Sequence, residues 1–130
     1  MKIVKWTMLV SGVMTFTMIY AAIAPRAALR SMFGQTLDGP AAEVVVRNWG
    51  SLIAAIGVAL IYGALHPPSR RLALILAAST KAFFVATLLV VYGLDGQLIA
   101  PVVVDGLMVV AFIVFLVGGR GSKLVNHAPA

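Results

Sequence analysis

The sequence predicts an all-α integral membrane protein: a four-helix antiparallel bundle with a short interfacial helix in its first outer loop. Two observations carry that prediction. The chain contains four apolar stretches at about 6–24, 44–65, 72–92 and 98–117, and about 20 apolar residues at 1.5 Å per residue cross a hydrocarbon layer roughly 30 Å thick. Its composition is 62% hydrophobic and only 11% charged, with a mean hydropathy of +1.04, far from soluble usage. The connections are short, so residues 1–130 are expected to form a single transmembrane domain.

The first span follows Lys2 and Lys5, which resemble the charged start of a secretory signal, and Ala22-Ile23-Ala24 has the form of a cleavage site. Its apolar core is longer than a signal's, and Pro25 would follow the cut, so it reads as a retained helix that ends before Pro25. Asp38-Gly39-Pro40 supplies a cap and a first-turn proline to the second span, with Glu43 near its positive end, and His66-Pro67-Pro68 stops it. Ser69 is placed to cap the third span. Gly93 and Asp95-Gly96 turn the chain into the fourth, whose first turn holds Pro101. In the loop from Pro25 to Glu43, the spacing of Arg26, Ala27, Ala28, Leu29, Arg30, Met32 and Phe33 predicts an amphipathic helix lying in the interface.

Counting Lys and Arg by side sets Lys2, Lys5, Arg70, Arg71, Arg120 and Lys123 against Arg26, Arg30 and Arg47. Six against three predicts both termini in the cytoplasm. The other face carries Asp38, Glu43 and Asp95. Because the basic residues flank the spans, the net charge of +6 points to anionic lipid and away from nucleic acid.

Helices in lipid associate through close backbone approach and interhelical hydrogen bonds. Ser51, Ala55, Ala59 and Gly63 recur every four residues, with Gly50 and Ala54 beside them, and Ala78, Ala82 and Ala86 repeat the device in the third span. These stripes predict that the second and third spans form the tight centre of the bundle, with dimerisation as the alternative use.

Two ionisable residues lie deep: Lys81, about 14 Å from the inner end of its span, and Asp105, about 10 Å from the outer end of its own. Side chains lean toward their helix N-terminus, which would separate this pair, so Arg47 is expected to bind Asp105, with water between Asp105 and Lys81. Thr15 and Thr17 share these depths, and Asn48, Trp49 and Tyr20 complete an outer polar zone. Together they predict an outward-opening pocket of Arg47, Asn48, Lys81, Asp105, Thr17 and Tyr20; the competing reading is that the charges only hold the helices together. Trp6, Trp49, Tyr20 and Tyr92 suit an aromatic belt, and Met8, Met14, Met18 and Met108 suit helix packing.

With no cysteine, thiolate nucleophiles, thiolate metal sites and disulfides are excluded. His66 and His127 fall outside the spans, so no metal or cofactor is expected, and no catalytic constellation of residues is present. Tyr20-Ala21-Ala22-Ile23-Ala24-Pro25, the basic stretch to Phe33, and Arg47-Asn48-Trp49-Gly50 opening an Ala/Gly-rich helix resemble small four-helix bacterial membrane proteins of unknown function, loosely DoxX-like. The resemblance implies a bacterial inner membrane and brings no activity with it. The expected function is a non-enzymatic accessory or interaction subunit whose pocket holds a lipid head group or small ligand, with membrane lipid and a larger membrane complex or second copy as partners. The alternative is a small oligomeric transporter or proton-coupled carrier using Asp105 and Lys81, although no inverted repeat is visible and the first span has no acidic residue.

Overall fold

Prolines mark where three of the helices begin. The computed structural model describes residues 2–93, 96 and 98–126, with side chains described as far as 118. Among the described residues there are six helices and no strand: α1 (Lys2–Phe16), α2 (Ile19–Ile23), α3 (Pro25–Phe33), α4 (Pro40–Leu65), α5 (Pro67–Tyr92) and α6 (Ile99–Asn126). Pro25, Pro40 and Pro67 open α3, α4 and α5 at the position where a missing N–H costs no intrahelical bond. α3 stops at Gly34, whose φ of 70° is the left-handed conformation that glycine adopts without a Cβ penalty.

Four segments are long and apolar enough to cross a membrane, the pattern of a multi-pass membrane protein: Lys2–Ile23, Pro40–Leu65, Pro67–Tyr92 and Ile99–Gly118. The second and third start earlier than the sequence suggested, because proline is accommodated in a first turn and lets the helix reach back to Pro40 and Pro67. Ser69 therefore sits inside α5, its Oγ 2.9 Å from His66 Nδ1, and His66 occupies the N-cap. Gly39 is the N-cap of α4, while Asp38 faces Arg26 at 3.9 Å. Asp95 and His127 lie outside the described residues, as do the side chains of Arg120 and Lys123.

The first span, expected as one helix, is broken between α1 and α2. The Thr17 hydroxyl donates to the Met14 carbonyl one turn back. Met18 N–H reaches Thr15 O, and Tyr20 N–H reaches Thr17 O, so the backbone tightens to three-residue bonding there.

α1 and α2 pack on α4, α4 on α5, and α5 on α6. The closest approach is between the first and second spans rather than the second and third. A Cβ added at Gly57 would lie 2.5 Å from Phe16 N and 2.6 Å from Gly12 O, and one at Gly50 would lie 2.7 Å from Ala22 N. Backbone meets backbone here, and only glycine permits it.

The stripes predicted from four-residue spacing are displaced. Ser51, Ala55, Ala82 and Ala86 are exposed and Ala59 is half-buried, leaving Gly63 and Ala78 on packed faces. Each step of four residues turns about 40° past a full revolution, so a strict four-residue stripe walks around the helix. The buried face of α4 mixes steps of three and four through Val46, Gly50, Ala54, Gly57, Leu60 and Ala64. On α5 it runs through Leu74, Ala77, Ala78, Lys81 and Leu88. Met8, Leu60 and Phe112 are fully buried at the centre of one apolar cluster, with Val4, Ala64 and Ala73 around them. The opposite faces expose large apolar side chains such as Phe83 and Val90, as suits lipid contact.

Candidate functional site

Lys81 lies on the packed face of α5, about 16 Å from the Tyr92 end, and only 8% of it is exposed. Asp105 stands two turns into α6. The two form a direct ion pair, with Lys81 Nζ donating to Asp105 Oδ1 over 3.1 Å. This corrects the expected Arg47–Asp105 pair with bridging water. The tilt of the Cα–Cβ bond sets only where a side chain starts, and the lysine's long flexible stem covers the axial gap.

Arg47 is engaged elsewhere. Its Nη2 and Nε donate to Glu43 Oε1 at 2.8 and 3.0 Å, and its Nη1 donates to Ala22 O at 2.6 Å. That last bond satisfies a carbonyl at the end of α2, which has no intrahelical partner. Arg70 does the same for α4, donating to Gly63 O and Ala64 O at 3.3 and 2.9 Å. Sequence reasoning counted Arg70 only toward orientation. A basic residue a few positions beyond a proline-terminated helix was the available signal.

The ion pair borders a cavity of about 190 Å³. Thr15, Lys81 and Asp105 contribute its polar groups, and Met14, Met18, Met108, Trp49, Ile53 and Phe84 make much of the wall. Thr15 is 4% exposed, and its hydroxyl is the buried side-chain polar atom without a hydrogen-bond partner among the described residues. Thr80 also reaches the cavity, but its hydroxyl is taken by Leu76 O at 2.9 Å.

Thr17, Tyr20, Arg47 and Asn48, expected in this pocket, are exposed and do not line it. Equal depth does not mean a shared side: consecutive residues are about 100° apart around a helix, so Thr15 and Thr17, or Asn48 and Trp49, face different ways. The residues that replace them are Trp49, Phe84 and the methionines. The sequence places Trp49 in both a belt and the outer polar zone and the methionines in packing; their convergence on this cavity depends on how five helices are turned.

A second cavity, about 300 Å³, lies beside the first, under α3. Leu29, Phe33, Gln35, Thr36, Val45 and Tyr92 line it, and Trp49 and Phe84 belong to both cavities. The rings of Tyr92, Phe33, Trp49 and Phe84 form a row with successive centroids 6.0, 6.3 and 6.3 Å apart, in the range of favourable aromatic contact. Among the described residues no group of three or more His, Cys, Asp or Glu could hold a metal ion.

An overall neutral ion pair in the wall of a largely apolar cavity can orient a small molecule. The chain matches no family model, no curated protein and no solved structure.

Proposed function

We infer that this is a non-enzymatic membrane protein, an accessory or interaction subunit whose intramembrane pocket holds a small ligand or part of a lipid. The observation that carries the reading is the cavity of about 190 Å³ beside a buried Lys81–Asp105 pair, with Thr15, whose covered hydroxyl has no partner, in its wall. An intramembrane ion pair is costly to desolvate, and helices that only needed to associate could do so with apolar residues of similar volume. Its position beside an opening rather than inside a packed interface favours binding over glue. The apolar walls shift the expected ligand from a charged head group toward a mainly apolar molecule.

The carrier alternative has less support. Beyond the cavity, Met8, Leu60 and Phe112 are fully buried in one apolar cluster, which sets apolar side chains on the inner side of the ion pair.

In the membrane we take the helices as an antiparallel bundle, since early α1, late α4 and early α5 meet at Val4, Ala64 and Ala73. α3 would lie in the interface, burying Ala28 and Leu29 and exposing Arg26 and Arg30. The basic-residue count puts both termini in the cytoplasm of a bacterial inner membrane. Because the chain lacks cysteine, Thr36→Cys should label with an impermeant maleimide from outside and Ser69→Cys should not; the reverse pattern inverts the orientation.

Native mass spectrometry of protein released from its own membrane tests the ligand reading. A bound small molecule or lipid is expected in the parent chain and lost in Ile53→Trp, which fills the cavity from its wall. If Ile53→Trp stays folded and retains the same adduct, the pocket is not the binding site.

A further inference from the structure

The two cavities share one wall, and we propose that together they form a single elongated site for a neutral, single-chain amphiphile, its hydroxyl or carbonyl end at Thr15 and its chain running past Trp49 and Phe84. The inference rests on the ligand-pocket reading above and adds the ligand's chemistry and the direction in which it lies.

Water does not account for the first cavity. At roughly 30 Å³ per molecule, its 190 Å³ would hold about six waters, and each needs two to four polar partners. Thr15, Lys81 and Asp105 can serve one or two; Met14, Met18, Ile53 and Phe84 offer the rest nothing. An apolar body is therefore the better filling. Lys81 and Asp105 already neutralise each other at 3.1 Å, so a ligand with a net charge would meet one repulsive partner and pay desolvation without gain. Thr15 stands in the cavity wall with its hydroxyl unpartnered and covered; a turn about its Cα–Cβ bond that presents the hydroxyl to the cavity gives a group that donates and accepts, which selects a neutral hydrogen-bonding end.

The chain's direction follows from the partition. Trp49 and Phe84 line both cavities, with ring centroids 6.3 Å apart, so the rings touch and divide one space into two. Met32 of α3 borders the first cavity and Phe33 the second, so the same helix roofs both. The opposite direction is blocked by the packed core around Met8 and Phe112. An alcohol, aldehyde or ester with an extended aliphatic chain fits this shape, with the chain replacing the Trp49–Phe84 ring contact by contact with both rings.

Trp49 reports directly on this passage. Of two tryptophans, Trp6 is 61% exposed, so Trp6→Phe leaves Trp49 as the sole tryptophan, read by excitation at the red edge where tyrosine does not absorb. In lipid nanodiscs, 11-bromo-1-undecanol should quench Trp49 saturably, as should 4-bromobenzyl alcohol, which is short enough for the first cavity alone. Thr15→Val should weaken both at least tenfold, with Thr15→Ser restoring them. Val45→Phe, which adds a ring to the second cavity from an exposed position, should weaken the long alcohol at least tenfold and leave the short one unchanged. Equal loss of neither or both alcohols in Val45→Phe overturns the elongated site while Thr15-dependent binding leaves the pocket standing. Quenching that rises linearly for both probes, identical in Thr15→Val, overturns the elongated site and the ligand pocket together. If 11-bromoundecanoate saturates as tightly as the alcohol, the neutral-end selection is wrong.

Discussion

Where α1 crosses α4 at Gly12 and Gly57, no side chain separates the two backbones, yet one turn away Thr15 and Ile53 line a cavity. The difference comes from what each turn offers its neighbour. Glycine lets helices approach until only backbone atoms touch, which is the principal source of association in lipid. At Thr15 the backbone begins to tighten, α1 ends at Phe16, and long flexible methionines replace the glycines. A rigid crossing thus lies immediately beside a site that is open and partly polar. The dense crossing holds the helices, and that leaves the neighbouring turn free to keep an unfilled space and a costly ion pair.

Three sets of substitutions can break or sharpen this contrast. The largest effect is expected at the crossing: Gly57→Leu would drive side-chain atoms into the backbone of Phe16 and Gly12, which cannot swing aside. Its cost should exceed the usual 1–3 kcal/mol, roughly, of core overpacking, and folded, monodisperse protein should be lost in size-exclusion chromatography. A well-folded Gly57→Leu would mean that the crossing is not tight. The next effect belongs to the cavity: Lys81→Met strands Asp105 and should cost about 3–5 kcal/mol in reversible unfolding, while Lys81→Met/Asp105→Leu should recover most of that loss. A double variant as unstable as the single one would show that the pair contributes net stability rather than serving the pocket. The smallest effect is expected on the outward faces, where Ala55→Leu and Ala82→Leu should change stability by less than about 0.5 kcal/mol. A large loss there, or a shift in oligomeric mass, would return the four-residue stripe to an interface between copies.

Those outward alanines show which inferences from spacing were safe. Span lengths needed only counting, because the hydrocarbon thickness is constant and each residue adds a fixed rise. Small residues at intervals of four announced that a helix wanted a neighbour, but the stripe drifts around the axis, and the face that packs alternates intervals of three and four through Gly50, Ala54 and Gly57. The depth of Lys81 and Asp105 was readable in the same way, whereas their direct contact was not, since the flexible lysine stem escapes a rule based on the Cα–Cβ direction. Arg47 was misplaced because the Ala22 carbonyl, at the end of α2 just before Pro25, competes for its guanidinium.

By itself, the order of residues determined the number, length and apolar character of the crossings, the prolines and glycines that bound them, and the presence of two opposite charges far from water. Each of these depends on local chemistry or on a sum along the chain. Tertiary structure decided which glycines touch, that Lys81 reaches Asp105 rather than leaving it to Arg47, and that Trp49 and Phe84 stand between two cavities. Those outcomes depend on how each helix is rotated about its axis, and rotation is set by simultaneous packing against neighbours from distant parts of the chain.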